Sequence, residues 1–316
     1  MTALATAPTA HPRPARPWRS VLRLQRGLVI VWSMLFTAAA GALLWAYGPG
    51  GNAAAADWKR KCGPHGCDWS APITNYHLAR AAAEFLIGIT PYVAAAAAGA
   101  LIGRELENDT ARLAWTQSVS PTRWLATSLA VPAALLTAGT TVLVLLHRLL
   151  YDAHQVPVTW HWWSDGTFDA NGTIALAYPL LGLALGALAA LVLRRTVAAL
   201  GLAAIAMALV HAVLGVARPH LWPWVTRTGS VSTGYNAPPN VLLGDQGAIT
   251  ATGAHVSDTY FTDRVCAKAF DVTGYYVDYH PASHFWPLQL METGIVLATA
   301  ALVLATAFTL LRRRTA

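Results

Sequence analysis

Ionisable side chains lie within long apolar runs of this sequence, where three of them could do chemistry. Glu84 follows Arg80 by four residues, a spacing that lets the two side chains meet on a helix. Glu292 and His211 lie in two other apolar runs. A charged group in such a run is costly to bury, so all three are candidates for a substrate path. Each also has a structural interpretation: Glu84 and Glu292 lie near run ends, where side chains reach water, and His211 can serve in packing or in proton transfer.

Cysteines and histidines suggest two further kinds of site. Cys62 and Cys67 bracket a Gly-Pro-His-Gly segment, and an oxidising exterior would favour a disulfide between them, with a bridge from Cys266 to either as the alternative. His280 and His284 have the spacing of two metal ligands on one helix face. A proline between them and the lack of a third nearby ligand weaken that interpretation, so we expect no metal site.

Motifs for catalysis are missing from the sequence. It contains no GxSxG or HExxH motif, and its lysines, at Lys59, Lys61 and Lys268, do not end a glycine-rich phosphate loop. We therefore expect no catalytic residue, no ATP hydrolysis by this chain and no cofactor bound to it.

The composition indicates how these residues are positioned. Of the 316 residues, 55% are hydrophobic and 12% charged, which is too apolar for a soluble domain of this size. Six runs are long enough to cross a bilayer as helices, which takes about 20 residues each. They are approximately Gly27 to Tyr47, Ala82 to Ile102, Leu125 to Leu146, Ile174 to Leu193, Val197 to Ala217 and Leu288 to Leu311. The sequence predicts an all-α integral membrane protein, with bends at Pro91, Pro132 and Pro179.

The distribution of charge predicts the topology. With six spans both termini share one side, and cytoplasmic segments carry an excess of arginine. If that side is cytoplasmic, its segments hold 13 arginines and three acidic residues, a charge of +10. The other nine cations and 12 acidic residues lie outside, so topology accounts for the net charge of +7 without nucleic-acid binding. We expect a multi-pass protein of the cell membrane with cytoplasmic ends at 1–26 and 312–316, a transmembrane domain at 27–311, and outer segments at 48–81, 147–173 and 218–287.

Two segments outside the spans have a composition that suggests secondary structure. Trp18 to Arg26 could form an amphipathic helix on anionic lipid, or its arginines could only fix the topology. The outer segment 218–287, between spans five and six, is rich in Gly, Thr, Tyr and Asp. We expect its Tyr275, Tyr276 and Tyr279 to lie along the membrane interface on short helices.

The inner segment 103–124 is the most informative part of the chain. It reads RELENDTARLAWTQSVSPTRWLA from Arg104, and Asp109 can cap a short helix that runs to about Ser118, before Pro121 starts the third span. Such a helix would lie along the membrane surface. Four polar side chains would then be available to a cytoplasmic partner: Glu105, Glu107, Arg112 and Gln117.

This segment resembles the loop between the second and third spans of type-2 ABC transporter permeases, particularly an actinobacterial group. In that family the loop forms a coupling helix that docks on a separate ATPase, and the resemblance implies this role for Arg104, Glu105, Glu107, Arg112, Trp115 and Gln117. It also implies an ATPase partner that uses ATP and Mg, and a second permease copy or homologue. The alternative is a plain interfacial helix with a solvated charged face.

The resulting hypothesis is the transmembrane permease subunit of an ATP-driven exporter, which moves an apolar or amphipathic solute outward by alternating access. Two other classes of protein remain open. One is a membrane-embedded enzyme that acts on lipid, which would need a clustered catalytic set. The other is a sensor or scaffold whose outer loop binds a ligand, which would not need the inner coupling segment.

Overall fold

The computed structural model describes residues 26–63, 66–67, 70–116, 119–153, 160–234, 237–257 and 271–315, with backbone alone for 62–63 and 66–67. Six of its helical segments are long and apolar enough to cross a membrane. The chain is therefore a multi-pass membrane protein, and the six predicted spans are confirmed as candidate spans. The predicted helix at Trp18 to Arg26 lies almost wholly outside the described residues.

The helices follow one another in the order of the predicted runs. Their bounds are α1 Arg26–Trp45, a π-helical turn Ala46–Gly50, α2 Gly51–Lys61, α3 Ala71–Gly88, α4 Thr90–Glu107, α5 Thr110–Thr116, α6 Pro121–Ala153, α7 Asp165–Ala170, α8 Ile174–Leu193, α9 Thr196–Ala217 and α10 Phe285–Thr315. Spans one and two are α1 with α2 and α3 with α4, and spans three to six are α6, α8, α9 and α10.

Prolines shape the first spans. Gly48 leaves helical geometry (φ −93°, ψ −107°) just before Pro49, so the chain kinks between α1 and α2. Pro91 occupies the first turn of α4, and the helix is interrupted at Ile89, where a bend was expected. The hydroxyl of Thr90 donates to the carbonyl oxygen of Leu86 over 3.0 Å, which satisfies one acceptor at the break.

Helix α8 lies at the centre of the bundle. Most of its side chains are buried, and it packs against α4, α9 and α10. At Gly182 and Gly186 an added Cβ would meet the backbone of Pro91 and of Ala95 on α4. These two glycines therefore allow α4 and α8 to approach closely, as small residues at this spacing do in membranes.

The chain between α9 and α10 forms an antiparallel sheet, so the all-α prediction is wrong here. Its strands are β3 Val225–Ser230, β4 Leu242–Thr250, β5 His255–Ser257 and β6 Val272–His280, in the order β3-β6-β4-β5. Tyr275, Tyr276 and Tyr279 lie on the inner strand β6 instead of on short helices. Aromatic residues favour a half-buried pleated surface, and pairing with two neighbouring strands satisfies the backbone of β6.

A second, two-stranded pairing, which precedes β3 in the chain, joins β1 Cys62–Gly63 to β2 Gly66–Cys67. Cys62 and Cys67 are directly opposed in its register. Their side chains lie outside the described residues, as does Cys266, so the disulfide stays a prediction.

The bundle has two ends, which differ in composition. We call the end at which α4, α8 and α10 finish the arginine end, because Arg104, Arg194 and Arg314 lie there. We call the opposite end, which carries β3 to β6, the sheet end.

Candidate functional site

Glu292 is the most deeply buried acidic side chain of the network at the sheet end of the spans. It lies on α10 with an exposed fraction of 0%. The hydroxyl of Tyr178 on α8 donates to its Oε1 over 2.6 Å, and Nε of Arg218 donates to its Oε2 over 2.7 Å. Such burial of a carboxylate requires this pairing, because an isolated buried charge is strongly destabilising.

Arg218 extends the network from Glu292 to the short helix α7. It occupies the 3-10 turn Arg218–His220 directly after α9. Its Nη2 donates to Oδ1 of Asp169 over 2.6 Å, and its guanidinium lies 4.3 Å from the ring centre of Phe168. One arginine therefore joins α7, α9 and α10.

His211 joins the network to the second span. Its Nε2 lies 2.9 Å from Oδ2 of Asp169, and its Nδ1 lies 2.6 Å from the hydroxyl of Tyr92 on α4. Because an ionised carboxylate only accepts hydrogen bonds, Nε2 carries the hydrogen, and in the neutral ring Nδ1 accepts from Tyr92. His211 is thus both packed and hydrogen-bonded within a continuous chain of polar groups.

A cleft of about 560 Å³ lies beside this chain of groups. Its polar side includes Tyr92, Asp169, His211 and Arg218, and small residues of α9 such as Ala212 form an apolar wall. Asp165 also lines the cleft, with a side-chain exposed fraction of 98%. The cleft is therefore amphipathic, and carboxylates outnumber guanidinium groups among the described residues that line it.

Glu84 belongs to a second buried cluster. It pairs with Arg80 over 3.0 Å, which confirms that the two side chains meet. Its Oε1 also accepts from the hydroxyl of Thr167 over 2.9 Å and lies 3.2 Å from Nε2 of His147, a fully buried residue of α6. Since Thr167 and Asp169 are both on α7, this six-residue helix connects the cluster to the cleft.

The two glutamates of the inner segment are hydrogen-bonded to other parts of the chain. Oε2 of Glu105 accepts from the indole of Trp124 on α6 over 2.6 Å. Oε2 of Glu107 accepts from the backbone N–H of Thr196 over 2.9 Å and from its hydroxyl. Both carboxylates therefore fix the segment to neighbouring spans.

The remaining residues of the inner segment differ in exposure. The helix α5 begins at Thr110, because Asp109 has a positive φ of 54° and lies before the helix. Arg104 and Arg112 are exposed, and Arg112 lies 3.5 Å from the equally exposed Asp109. Gln117 lies outside the described residues.

The sequence profile of the family described as ABC-2 membrane transporter related matches residues 27–218, more than half of the chain. The chain belongs to this family. No curated protein and no solved structure shows a significant match to it.

The ABC-2-related part of the chain contains spans one to five and ends at Arg218. The β3 to β6 sheet and Glu292 follow it. Membrane subunits of this family are typically non-catalytic, and the family generally implies an ATPase partner. The predicted resemblance is thereby confirmed at the level of the family, whereas the resemblance to an actinobacterial group stays a prediction.

Sequence reasoning found some members of this site and missed others. It singled out Glu84, His211 and Glu292, which the structure places in two polar clusters joined by α7. It missed Asp169 and Arg218, which lie in the predicted outer segments 147–173 and 218–287. One signal for Arg218 was available in the sequence. It directly follows an apolar run that contains a histidine, and ionisable groups in such runs indicate function.

The histidine pair considered as metal ligands also lies at the sheet end. Nδ1 of His280 and Nδ1 of His284 are 2.8 Å apart, and Nε2 of His280 lies 2.8 Å from the carbonyl oxygen of Pro219. Because that carbonyl only accepts, Nε2 of neutral His280 carries the hydrogen, and Nδ1 accepts one from His284. Among the described residues no three His, Cys, Asp or Glu side chains form a group that could hold a metal ion.

Proposed function

We propose that the chain is the permease subunit of an ATP-driven exporter in the cell membrane. Membership of the ABC-2-related family carries this proposal. A separate ATPase subunit binds ATP and Mg and supplies the energy, and this chain provides the transmembrane path.

In the proposed orientation the arginine end is cytoplasmic. The excess of arginine there supports this choice. The inner segment then docks on the ATPase through exposed groups that include Arg104 near the end of α4 and Arg112 on α5. Glu105 and Glu107 act as positioning residues, since their carboxylates hold the segment against α6 and α9.

The cleft at the sheet end is proposed as the outer part of the solute path. Its apolar wall and polar side suit an amphipathic solute. Asp165, Asp169 and Glu292 bring three negative charges to the cleft and its adjoining network, whereas Arg218 brings one positive charge, so a basic group on the solute is favoured. A second permease copy or a homologue would close the open side of the cleft.

The coupling role is tested with the full complex in lipid nanodiscs. Arg104→Ala/Arg112→Ala is compared with Arg227→Ala, which removes an exposed arginine from β3 at the opposite end. The proposal expects the double variant to lose most of the ATP hydrolysis that depends on the permease, and Arg227→Ala to keep it. Undiminished coupling in the double variant would remove the docking role.

The cleft is tested with a cationic amphipathic dye, rhodamine 6G, in inside-out vesicles that contain the ATPase. Asp169→Asn and Asp165→Asn should each reduce ATP-dependent uptake of the dye, and Asp278→Asn on β6 is the control for a lost carboxylate outside the cleft. If all three variants took up the dye as fast as the native chain, the cleft would be excluded from the path of this solute.

A further inference from the structure

A small basic pocket lies at the arginine end, where α5 meets the ends of α8 and α10. Its volume is about 60 Å³. Arg112 of α5, Arg194 directly after α8 and Arg314 of α10 all line it. Asp109 is the one acidic residue among the described residues that line it, so three guanidinium groups meet a single carboxylate.

The positive charge of this pocket is poorly compensated by the chain itself. Arg112 and Asp109 are 3.5 Å apart with side-chain exposures of 70% and 73%, so their pairing is weak. Arg314 donates from Nη1 to the backbone carbonyl oxygen of Leu191, which is uncharged. Within the described ranges, no carboxylate lies at ion-pair distance from Arg194 or Arg314.

Trp115 adds a hydrogen-bond donor that lacks an acceptor. Its side chain lines the pocket, and its ring packs edge-on against Trp124 at 5.7 Å. The indole Nε1 is buried and finds no hydrogen-bond partner in the described part of the chain. A buried donor without an acceptor is destabilising, which makes this side of the pocket favourable for a bound acceptor.

The apolar residues around the pocket indicate the kind of molecule that brings the hydrogen-bond acceptor. Leu106, Leu191 and Leu311 line the pocket beside the charged groups. Val192 and Leu193, immediately before Arg194, are exposed at the same end of the bundle. Guanidinium groups bind phosphate oxygens well, and basic pockets between spans on the cytoplasmic side suit anionic headgroups.

We propose that Arg112, Arg194, Arg314 and the indole of Trp115 form a binding site for a phosphate group, carried by an anionic phospholipid. The bound phosphate links α5 to the ends of spans four and six, because each of these elements contributes a donor. The site is separate from the cleft and does not depend on the transported solute.

The test uses the full chain, purified in an uncharged detergent, and its thermal unfolding midpoint. Phosphatidylglycerol should raise the midpoint of the native chain by at least about 3 °C relative to phosphatidylcholine. Arg194→Gln/Arg314→Gln should lose more than half of this increase, and Trp115→Phe should lose part of it. Arg312→Gln/Arg313→Gln is the matched control, since it removes the same charge next to the pocket and should keep the increase.

Native mass spectrometry of the same samples measures the bound lipid directly. It should show one phosphatidylglycerol retained by the native chain and lost in Arg194→Gln/Arg314→Gln, which keeps the test valid if a variant is less stable. If both double variants lost bound lipid equally, the site would be overturned, because the lipid would then be held by unspecific attraction to positive charge. An equal increase with inorganic phosphate would overturn the assignment to lipid. A third outcome would replace the lipid site by a protein contact. In that outcome no lipid binds, and Arg194→Gln/Arg314→Gln only prevents co-purification of the ATPase.

Discussion

Arg218 and Glu292 form a buried ion pair in which Nε of the arginine donates to Oε2 of the carboxylate over 2.7 Å. Arg218 follows the fifth span and Glu292 lies in the sixth, so the β3 to β6 sheet is inserted between the two partners. Tyr178 and Asp169 occupy further hydrogen-bonding positions of the pair. Buried charges are tolerated only when they are compensated in this way.

Replacing Arg218 by methionine should strongly destabilise the chain. Glu292 would remain fully buried without its cation, and breaking a buried pair from one side costs about 3–5 kcal/mol. Thermal unfolding in detergent measures the change, with exposed Arg227→Met as the control. The double variant Arg218→Met/Glu292→Gln should be less destabilised than the sum of its single changes. A strictly additive result would mean that the pair is not coupled.

Close packing of α8 against α4 gives a second prediction. An added methyl at Gly186 would meet the carbonyl oxygen of Ala95, whereas at Gly201 on α9 nothing lies within 4 Å of the added Cβ. Gly186→Ala should therefore lower the free energy of unfolding by about 1–3 kcal/mol, as overpacking does. Gly201→Ala should be neutral or slightly stabilising. Thermal unfolding of both variants checks this, and equal midpoints would contradict the helix contact.

The spans were predictable because each is a run of about 20 apolar residues, and lipid requires a helix there. The sheet was not predicted, because short strands such as β6 carry a much weaker signal than a span, and the residues 274–277 of β6 are buried in succession instead of alternating. The bend predicted at Pro91 lies beside Ile89, where one residue separates α3 from α4 but keeps helical dihedrals (φ −81°, ψ −14°).

The candidate site was only partly predictable, because its contacts join residues that are far apart in sequence. The pairing of Arg80 with Glu84 follows from helical spacing. The contact of Asp169 with Arg218 does not, since it depends on where α7 packs against the end of α9. The same holds for Glu105, whose partner Trp124 is contributed by another span.

Glu107 should behave as a positioning residue, in contrast to Arg112. Its carboxylate accepts from the backbone N–H of Thr196 at the start of α9, where helices leave such groups unsatisfied. Glu107→Ala should lower the unfolding midpoint, whereas Glu107→Gln keeps an acceptor and should recover part of the loss. In uncharged detergent without anionic lipid, Arg112→Ala should leave stability unchanged, because its pairing with Asp109 is exposed and weak.

Two measurements on these variants separate positioning from docking. Thermal unfolding gives the stability, and ATP hydrolysis by the complex gives the coupling. If Glu107→Ala left the unfolding midpoint unchanged but abolished coupling, its carboxylate would contact the ATPase directly instead of fixing the start of α9.

Acidification should weaken the junction between the β3 to β6 sheet and the sixth span. Burial lowers the pKa of His280 below the usual value of 6.5, the charges of His284 and His220 act in the same direction, and the hydrogen bond to Pro219 opposes them. The folded state therefore favours the neutral imidazole. Its contribution to stability is complete above about pH 6.5 and is lost as the pH falls toward the lower pKa of the folded state, by about 1.4 kcal/mol per pKa unit.

The hydrogen-bond pattern explains why the proton is disfavoured. Neutral His280 accepts from His284 through Nδ1, and a proton on that nitrogen would require His284 to move its own hydrogen from Nδ1 to Nε2. Between pH 7.5 and 5.5 the unfolding midpoint of the native chain should fall further than that of His280→Gln, which has no group to titrate at this position. His255→Gln, on an exposed position of β5, should retain the native pH dependence. A pH dependence that is the same in His280→Gln and the native chain would show that His280 does not control this junction, since the remaining titrating groups would then account for all of it.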